Sequence, residues 1–185
     1  MIEEIIADAR TRMEKAMEAL QRELTAVRTG RAAPSLVDRI TVEQYGTEMP
    51  LNQLANIAAP EARLITITPW DKSTIGAIEK AIRKSELGLN PSSDGSMIRI
   101  AIPQLTEDRR KQMVKVVHTK VEDSKVAVRN IRRDAMNQAK EYQEEKLITE
   151  DDERRAETQI QDLTNKFTAQ SDQIGKDKER DVMQI

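Results

Sequence analysis

The chain has no cysteine, a single histidine and only four aromatic side chains in 185 residues. Without cysteine there is neither a disulfide framework nor a thiolate metal site, which suits a reducing compartment. The lone histidine, His118, lies one turn from basic neighbours and reads as a surface or boundary residue rather than a general base. So few aromatics argue against a platform that stacks single-stranded bases. Long apolar runs are missing too. No stretch comes near the roughly 20 residues that span a bilayer, and Met1-Ile2-Glu3-Glu4 has neither the basic n-region nor the apolar run of a secretory leader. A cytoplasmic protein with no membrane partner is expected. Nor is there a strong net charge. At -2, no global field steers the chain to nucleic acid, so any such binding must come from a local patch.

Catalytic and cofactor signatures are also lacking. Gly88-Leu89-Asn90-Pro91-Ser92-Ser93-Asp94-Gly95 is rich in turn formers but has no phosphate-loop lysine. Glu150-Asp151-Asp152-Glu153 is the best candidate for a divalent cation, yet acids in a first helical turn more often serve the helix dipole. No catalytic residue, metal site or cofactor is read from the sequence.

Helix formers and charge are abundant: 34% of residues are Asp, Glu, Lys or Arg. Residues 2–29 read as a helix, with Ile6, Ala9, Met13, Ala16, Leu20, Leu24 and Val27 at spacings of three and four. Met13 and Met17 fall on its packing face and read as core. Gly30 and Pro34 end it. A second helix spans 106–147, with Thr106 at the N-cap position and an apolar line through Met113, Val117, Val121, Val128, Ile131, Ala135 and Tyr142. Thr149-Glu150-Asp151-Asp152 has the form of a capping box and opens a third, whose stripe is Ala156, Ile160, Leu163, Phe167 and Ile174. Three such stripes are buried most economically in a three-helix bundle.

Between the first two helices the texture changes. Residues 30–105 hold all six prolines and five of the six glycines. Strands are predicted at Ile40–Glu43, Leu64–Thr68 and Met97–Ala101, turns at Tyr45-Gly46-Thr47 and Asp94-Gly95, and a helix over Thr74–Lys84. Trp70, after Pro69, is expected to anchor a turn, an exposed binding tryptophan being the alternative. The reading is α+β: a bundle from 1–30 and 106–185, with a small β/α domain inserted at 31–105. The connections near 29–34 and 102–105 leave the same end of the bundle, a geometry that allows a hinge.

Charge is uneven along the helices. Residues 105–147 carry eleven basic and eight acidic side chains, a net +3, and residues 148–185 carry six and ten, a net -4. The excess centres on Val126-Ala127-Val128-Arg129-Asn130-Ile131-Arg132-Arg133-Asp134-Ala135. At roughly 100° per residue, Lys125, Arg129, Arg132 and Arg133 share one stripe, while Val128, Ile131 and Ala135 face the other way. Closely spaced guanidiniums on a stiff helix suit phosphates. The plain alternative is a solvated charged face.

Several segments carry a resemblance: Arg28-Thr29-Gly30-Arg31-Ala32, Pro34-Ser35-Leu36, Tyr45-Gly46-Thr47, Pro50–Asn56, Leu87-Gly88-Leu89-Asn90-Pro91, Leu105–Arg110 and Val126–Ala135. In this order and spacing the chain resembles the bacterial ribosome recycling factor family over essentially its full length. The resemblance implies an L-shaped monomer of transfer-RNA dimensions: a long antiparallel three-helix bundle carrying a hinged, three-layer β/α/β-like domain. It implies a non-enzymatic factor that binds the post-termination ribosome, mainly through large-subunit ribosomal RNA and not DNA. With elongation factor G and GTP, such a factor separates the subunits and releases them from mRNA. The family's RNA-contacting arginines fall on Arg28, Arg31, Arg129, Arg132 and Arg133. Its hinge falls on Thr29, Gly30, Pro34, Pro103, Gln104 and Leu105. If the first helix turns back beside the second, Arg28 and Arg31 extend one basic surface with Arg132. Two departures stand out: Gln104, where many members have a second proline, and Met136 before Asn137, where many have asparagine directly. A coiled-coil scaffold that binds proteins through its helices is the competing reading, and an enzyme with a buried carboxylate site is a third.

Overall fold

The computed structural model describes residues 1–27 and 29–184. The chain forms two compact units, one from its first 29 residues together with the chain from Glu107 onward, the other from Gly30–Thr106.

The first unit is helical. Helix α1 (Ile2–Thr25), α4 (Glu107–Glu144) and α5 (Glu150–Met183) pack as a bundle. The α1 helix stops four residues short of the predicted end, with Ala26 as its C-cap. Its buried line is Ile5, Ala9, Met13, Met17, Leu20 and Leu24. Ile6 and Ala16, expected in that line, are only half-buried flanks. Ile5, Met13, Val128, Ile131, Ile160 and Phe167 share one core cluster. Leu20, Leu24, Val117, Val121 and Val182 share another. The start of α1 thus lies with the end of α4, and its end with the start of α4 and the end of α5. The α4–α5 pair runs antiparallel, as its short connecting loop requires, and α1 runs antiparallel to α4, from which the inserted unit separates it in sequence. Arg12–Asp134 at 2.9 Å and Lys120–Glu23 at 3.6 Å tie the α1–α4 pair on its surface.

The α4–α5 contact is close because its residues are small. Gly175 faces Val121 so tightly that a Cβ there would lie 2.5 Å from Val121 Cγ2. About one turn away, the buried hydroxyls of Ser124 and Ser171 are 3.2 Å apart, and Ser171 also donates to the Phe167 carbonyl at 3.1 Å. The apolar patterns omitted these polar and glycine positions. The α5 N-terminus carries the expected capping box: the Asp152 amide donates to Thr149 Oγ1, and the Thr149 amide donates to Asp152 Oδ2, both at 3.1 Å.

The second unit is layered. Strands β1 (Thr41–Gln44) and β2 (Thr47–Pro50) form a two-stranded antiparallel sheet. The intervening residues Tyr45 and Gly46 both have positive φ, 52° and 77°, as a type I′ two-residue turn demands. A one-turn helix α2 (Leu51–Leu54) leads into β3 (Ala55–Glu61) and β4 (Leu64–Pro69). Helix α3 (Ile75–Lys84) is followed by β5 (Pro91–Ser93) and β6 (Ile98–Ala101). The larger sheet has the order β3-β4-β6-β5, all antiparallel. Ile78 and Ile82 of α3 lie in a core with Val42, Ile65, Ile67, Ile98 and Ile100, giving a β/α/β sandwich.

Two sequence expectations need correction here. Neither α2 nor β3 was predicted, because Ala55–Glu61 contains Asn56, three alanines and Pro60 instead of an alternating β-branched run. The Trp70 indole does not anchor the turn by burial: the residue is 69% exposed, and its backbone amide donates to the Leu54 carbonyl at 3.2 Å. In β4 the buried positions are Ile65, Ile67 and Pro69, so the pleat turns the following side chain outward. Asp71 holds this corner instead. Its carboxylate accepts from the Ser73 amide (2.9 Å), Ser73 Oγ (2.8 Å) and the Tyr45 hydroxyl (2.8 Å). These bonds, the Ser73 amide foremost, hold the Asp71 pKa below its ordinary value.

Gly175→Ala should lower stability by about 1–3 kcal/mol through overpacking against Val121, outweighing the roughly 1 kcal/mol that alanine gains over glycine in a helix. A urea denaturation midpoint at or above the parent's would refute the close contact. The capping box gives a second expectation. Asp152 has a lowered pKa because the Thr149 amide, then its hydroxyl, favours the carboxylate. A depressed folded pKa contributes stability that is fully present above the ordinary value and is lost as pH falls through the lowered one. The Thr149 amide resonance should therefore titrate below the ordinary carboxylate range, and should stop doing so in Asp152→Asn.

Candidate nucleic-acid interface

The arginine stretch lies in the middle of α4, on the side away from the core. Val128, Ile131 and Ala135 are buried, whereas Arg129 and Arg133 are exposed and Arg132 is half-buried. The helical wheel placed these residues correctly relative to the core. What it could not supply is their partners.

Every member of the basic stripe touches another side chain. Lys125 pairs with Asp172 of α5, and Arg129 pairs with Glu122 at 3.3 Å, two turns earlier on α4. Arg132 donates from Nη1 to Gln161 Oε1 of α5 at 3.3 Å, and Arg133 donates from Nη2 to Asn130 Oδ1 at 3.3 Å. Gln161 is itself held, its Nε2 donating to Asn165 Oδ1 at 2.9 Å. The stripe thus divides by partner chemistry. Lys125 and Arg129 face carboxylates; Arg132 and Arg133 face neutral amide oxygens. An arginine beside a carboxylate presents a weaker local field than one beside an amide. All these pairs are at least partly solvated, and such contacts hold geometry more than they stabilise the fold.

Sequence reasoning missed Glu122, Asn130, Gln161 and Asn165. Asn130 could have been found from its i,i+3 spacing to Arg133. Gln161 could not, because its place under Arg132 depends on the α4–α5 register.

The remaining candidates lie elsewhere. Arg28 is outside the described residues. Arg31 is exposed and belongs to the inserted unit. Among the hinge candidates, Gly30 has φ 75°, and a Cβ there would meet Leu105 Cγ at 3.2 Å. Both connecting segments are tied to the same β3–β4 turn. The Ala32 amide donates to the Ala62 carbonyl at 2.7 Å, and the Ile102 amide to the Arg63 carbonyl at 2.8 Å. Gln104 adds a side-chain bond, accepting from Arg63 Nη1 at 3.3 Å. Pro34 opens a single 3₁₀ turn through Leu36, and Pro103 directly precedes Gln104.

His118 is exposed, with Nε2 3.2 Å from Glu179 Oε2. In the acidic run, Glu150 and Asp151 pair with Arg154 and Arg155, and the Asp152 carboxylate completes the capping box with Thr149. Among the described residues no group of three or more His, Asp or Glu side chains is placed to hold a metal ion, and no helix is long and apolar enough to cross a membrane.

Comparison with known proteins places this geometry in context. The family described as "Ribosome recycling factor" matches residues 20–183. The ribosome-recycling factor of Thermomicrobium roseum is 57% identical, and that of Bacillus subtilis 53%, each over the whole of both chains. A solution structure of a ribosome recycling factor matches all of this chain and 98% of its own with a TM-score of 0.75 at 40% identity. Models of the T. thermophilus ribosome recycling factor and the E. coli elongation factor G bound to the E. coli post-termination complex match at 43% identity and a TM-score of 0.64, over all of both chains. With a family match over most of its length and full-length relatives above half identity, this chain belongs to the ribosome recycling factor family.

Proposed function

We propose that the protein binds the post-termination ribosome through the arginine face of α4 and, with elongation factor G and GTP, drives the subunits apart and off the mRNA. It acts as a monomeric cytoplasmic factor without catalysing a reaction itself. The observation that carries this reading is the arginine row on the outer side of a helical bundle, in a chain of this family. Arg129, Arg132 and Arg133 meet large-subunit ribosomal RNA, with Arg28 and Arg31 adding contacts from the connecting segment. A related factor bound with elongation factor G on a post-termination complex supports the same partners here.

The chemistry suits the task. A-form RNA is met through backbone and shape, so a surface with few aromatics is adequate. Phosphate contacts supply affinity and orientation, and that affinity falls with salt. Long helices give a stiff lever. Thr29, Gly30 and Pro34 on one connection, and Pro103, Gln104 and Leu105 on the other, form the hinge through which the inserted domain takes a push.

Light scattering of post-termination ribosomes should drop only when this protein, elongation factor G and GTP are all present. Arg132→Ala should weaken ribosome binding and abolish most of the drop while leaving helicity intact, because truncating a surface arginine usually costs under about 0.5 kcal/mol of stability. A full drop with this variant at matched salt would remove Arg132 from the contact. Shortening the 29–34 segment by two residues should impair splitting more than binding; equal loss of both would argue against a hinge.

A further inference from the structure

Building on the arginine-face reading, we infer that Gln161 of α5 is a positioning residue for RNA binding: its amide fixes Arg132 in a phosphate-ready orientation without cancelling its charge. Gln161 has only one way to satisfy both neighbours. Its Nε2 donates to Asn165 Oδ1 at 2.9 Å, which turns Oε1 toward Arg132 Nη1 at 3.3 Å. A guanidinium only donates, so Arg132 requires Oε1 on its side, and Asn165 Oδ1 holds the Nε2 end; the amide, held at both ends, fixes the guanidinium.

The alternative partner chemistry is on the same helix face. Glu122 lies 3.3 Å from Arg129, and Asp172 pairs with Lys125. A carboxylate and an incoming phosphate compete for the same guanidinium donors. An amide oxygen takes one donor, leaves the other N–H groups of the fork, and removes no charge. The partners thus rank the row: Arg132 and Arg133 meet phosphate with full charge, while Arg129 must first release Glu122. The α5 helix, which carries no arginine of the row, enters the recognition surface through Gln161 and Asn165.

Ribosome affinity, measured with vacant bacterial ribosomes across a salt series, tests this directly on the full-length protein. Gln161→Glu should weaken binding about three- to tenfold at low salt and flatten the log–log salt slope by up to about 0.9, the loss of one phosphate neutralised. Gln161→Leu, which keeps the charge but frees the rotamer, should weaken binding with the slope unchanged. Glu122→Gln should do the reverse of Gln161→Glu, tightening binding about threefold and steepening the slope. The slope under Gln161→Glu reports the charge beside Arg132, and Gln161→Leu reports the positioning: if Gln161→Leu binds like the parent, the positioning role is overturned. Circular dichroism with thermal melts checks that the surface variants fold alike. If Gln161→Glu binds like the parent while Arg132→Ala binds weakly, the positioning role is overturned and the arginine face stands. If Arg132→Ala also binds like the parent, both fail together.

Discussion

The close approach of α4 and α5 is the constraint on which the helical unit depends. Gly175 against Val121 and Ser124 against Ser171 allow two long helices to lie nearer than larger side chains would permit. That approach fixes their antiparallel register along the whole seam. His118 meets Glu179 toward one end, Lys125 meets Asp172 in the middle, and Arg132 meets Gln161 further on. Each step down one helix is a step up the other. A slip of one turn would part Arg132 from Gln161 and bury the two hydroxyls without each other. The seam therefore decides more than stability: it determines which α5 side chain lies beside each cation of α4.

A comparable economy operates in the inserted unit. Its core is almost wholly aliphatic, with Ile65, Ile67, Ile78, Ile82, Ile98 and Ile100 buried between two small sheets. Corners that have no apolar residue to spare are held by single carboxylates. Asp71 gathers Ser73 and the Tyr45 hydroxyl, and Asp94 accepts from the amides of Ser96 and Met97. Both have lowered pKa values, led in each case by a backbone amide. The β3–β4 turn serves both ends of the unit at once, because Ala62 and Arg63 receive the backbones of Ala32 and Ile102. Any motion of the connecting segments beyond these bonds falls on the few residues next to them, where Gly30 supplies the left-handed conformation that other residues resist.

Much of this was legible in the sequence, and the reasons differ by element. Long amphipathic helices announce themselves because many successive turns repeat one period, and the Thr149–Asp152 cap is a local signal with a local cause. The Tyr45-Gly46 turn and the Ile-rich strands were readable for the same reason. The β3 strand was not, since its alanines and Pro60 give it no pattern of its own; it exists because β4 offers a partner edge. The outward turn of Trp70 follows from the β4 pleat, not from the apolar character of indole. At the candidate site, the positions of Arg129, Arg132 and Arg133 followed from helical geometry alone. Their partners required contacts across helices, which no single-chain periodicity encodes.

The partners also reconcile two facts that look opposed. A protein of net charge -2 is unsuited to attract RNA at long range, yet it carries a cationic row. If all members of that row were unopposed, the patch would bind any nucleic acid it met, with affinity set by charge alone. Carboxylates beside Lys125 and Arg129 dampen that field, while amides beside Arg132 and Arg133 preserve it. On the proposed function, attraction is thereby confined to about one turn of α4, and the fit of the stiff bundle, not charge, must supply the rest of the recognition. Such a surface would engage phosphates only when shape has already brought them to that turn.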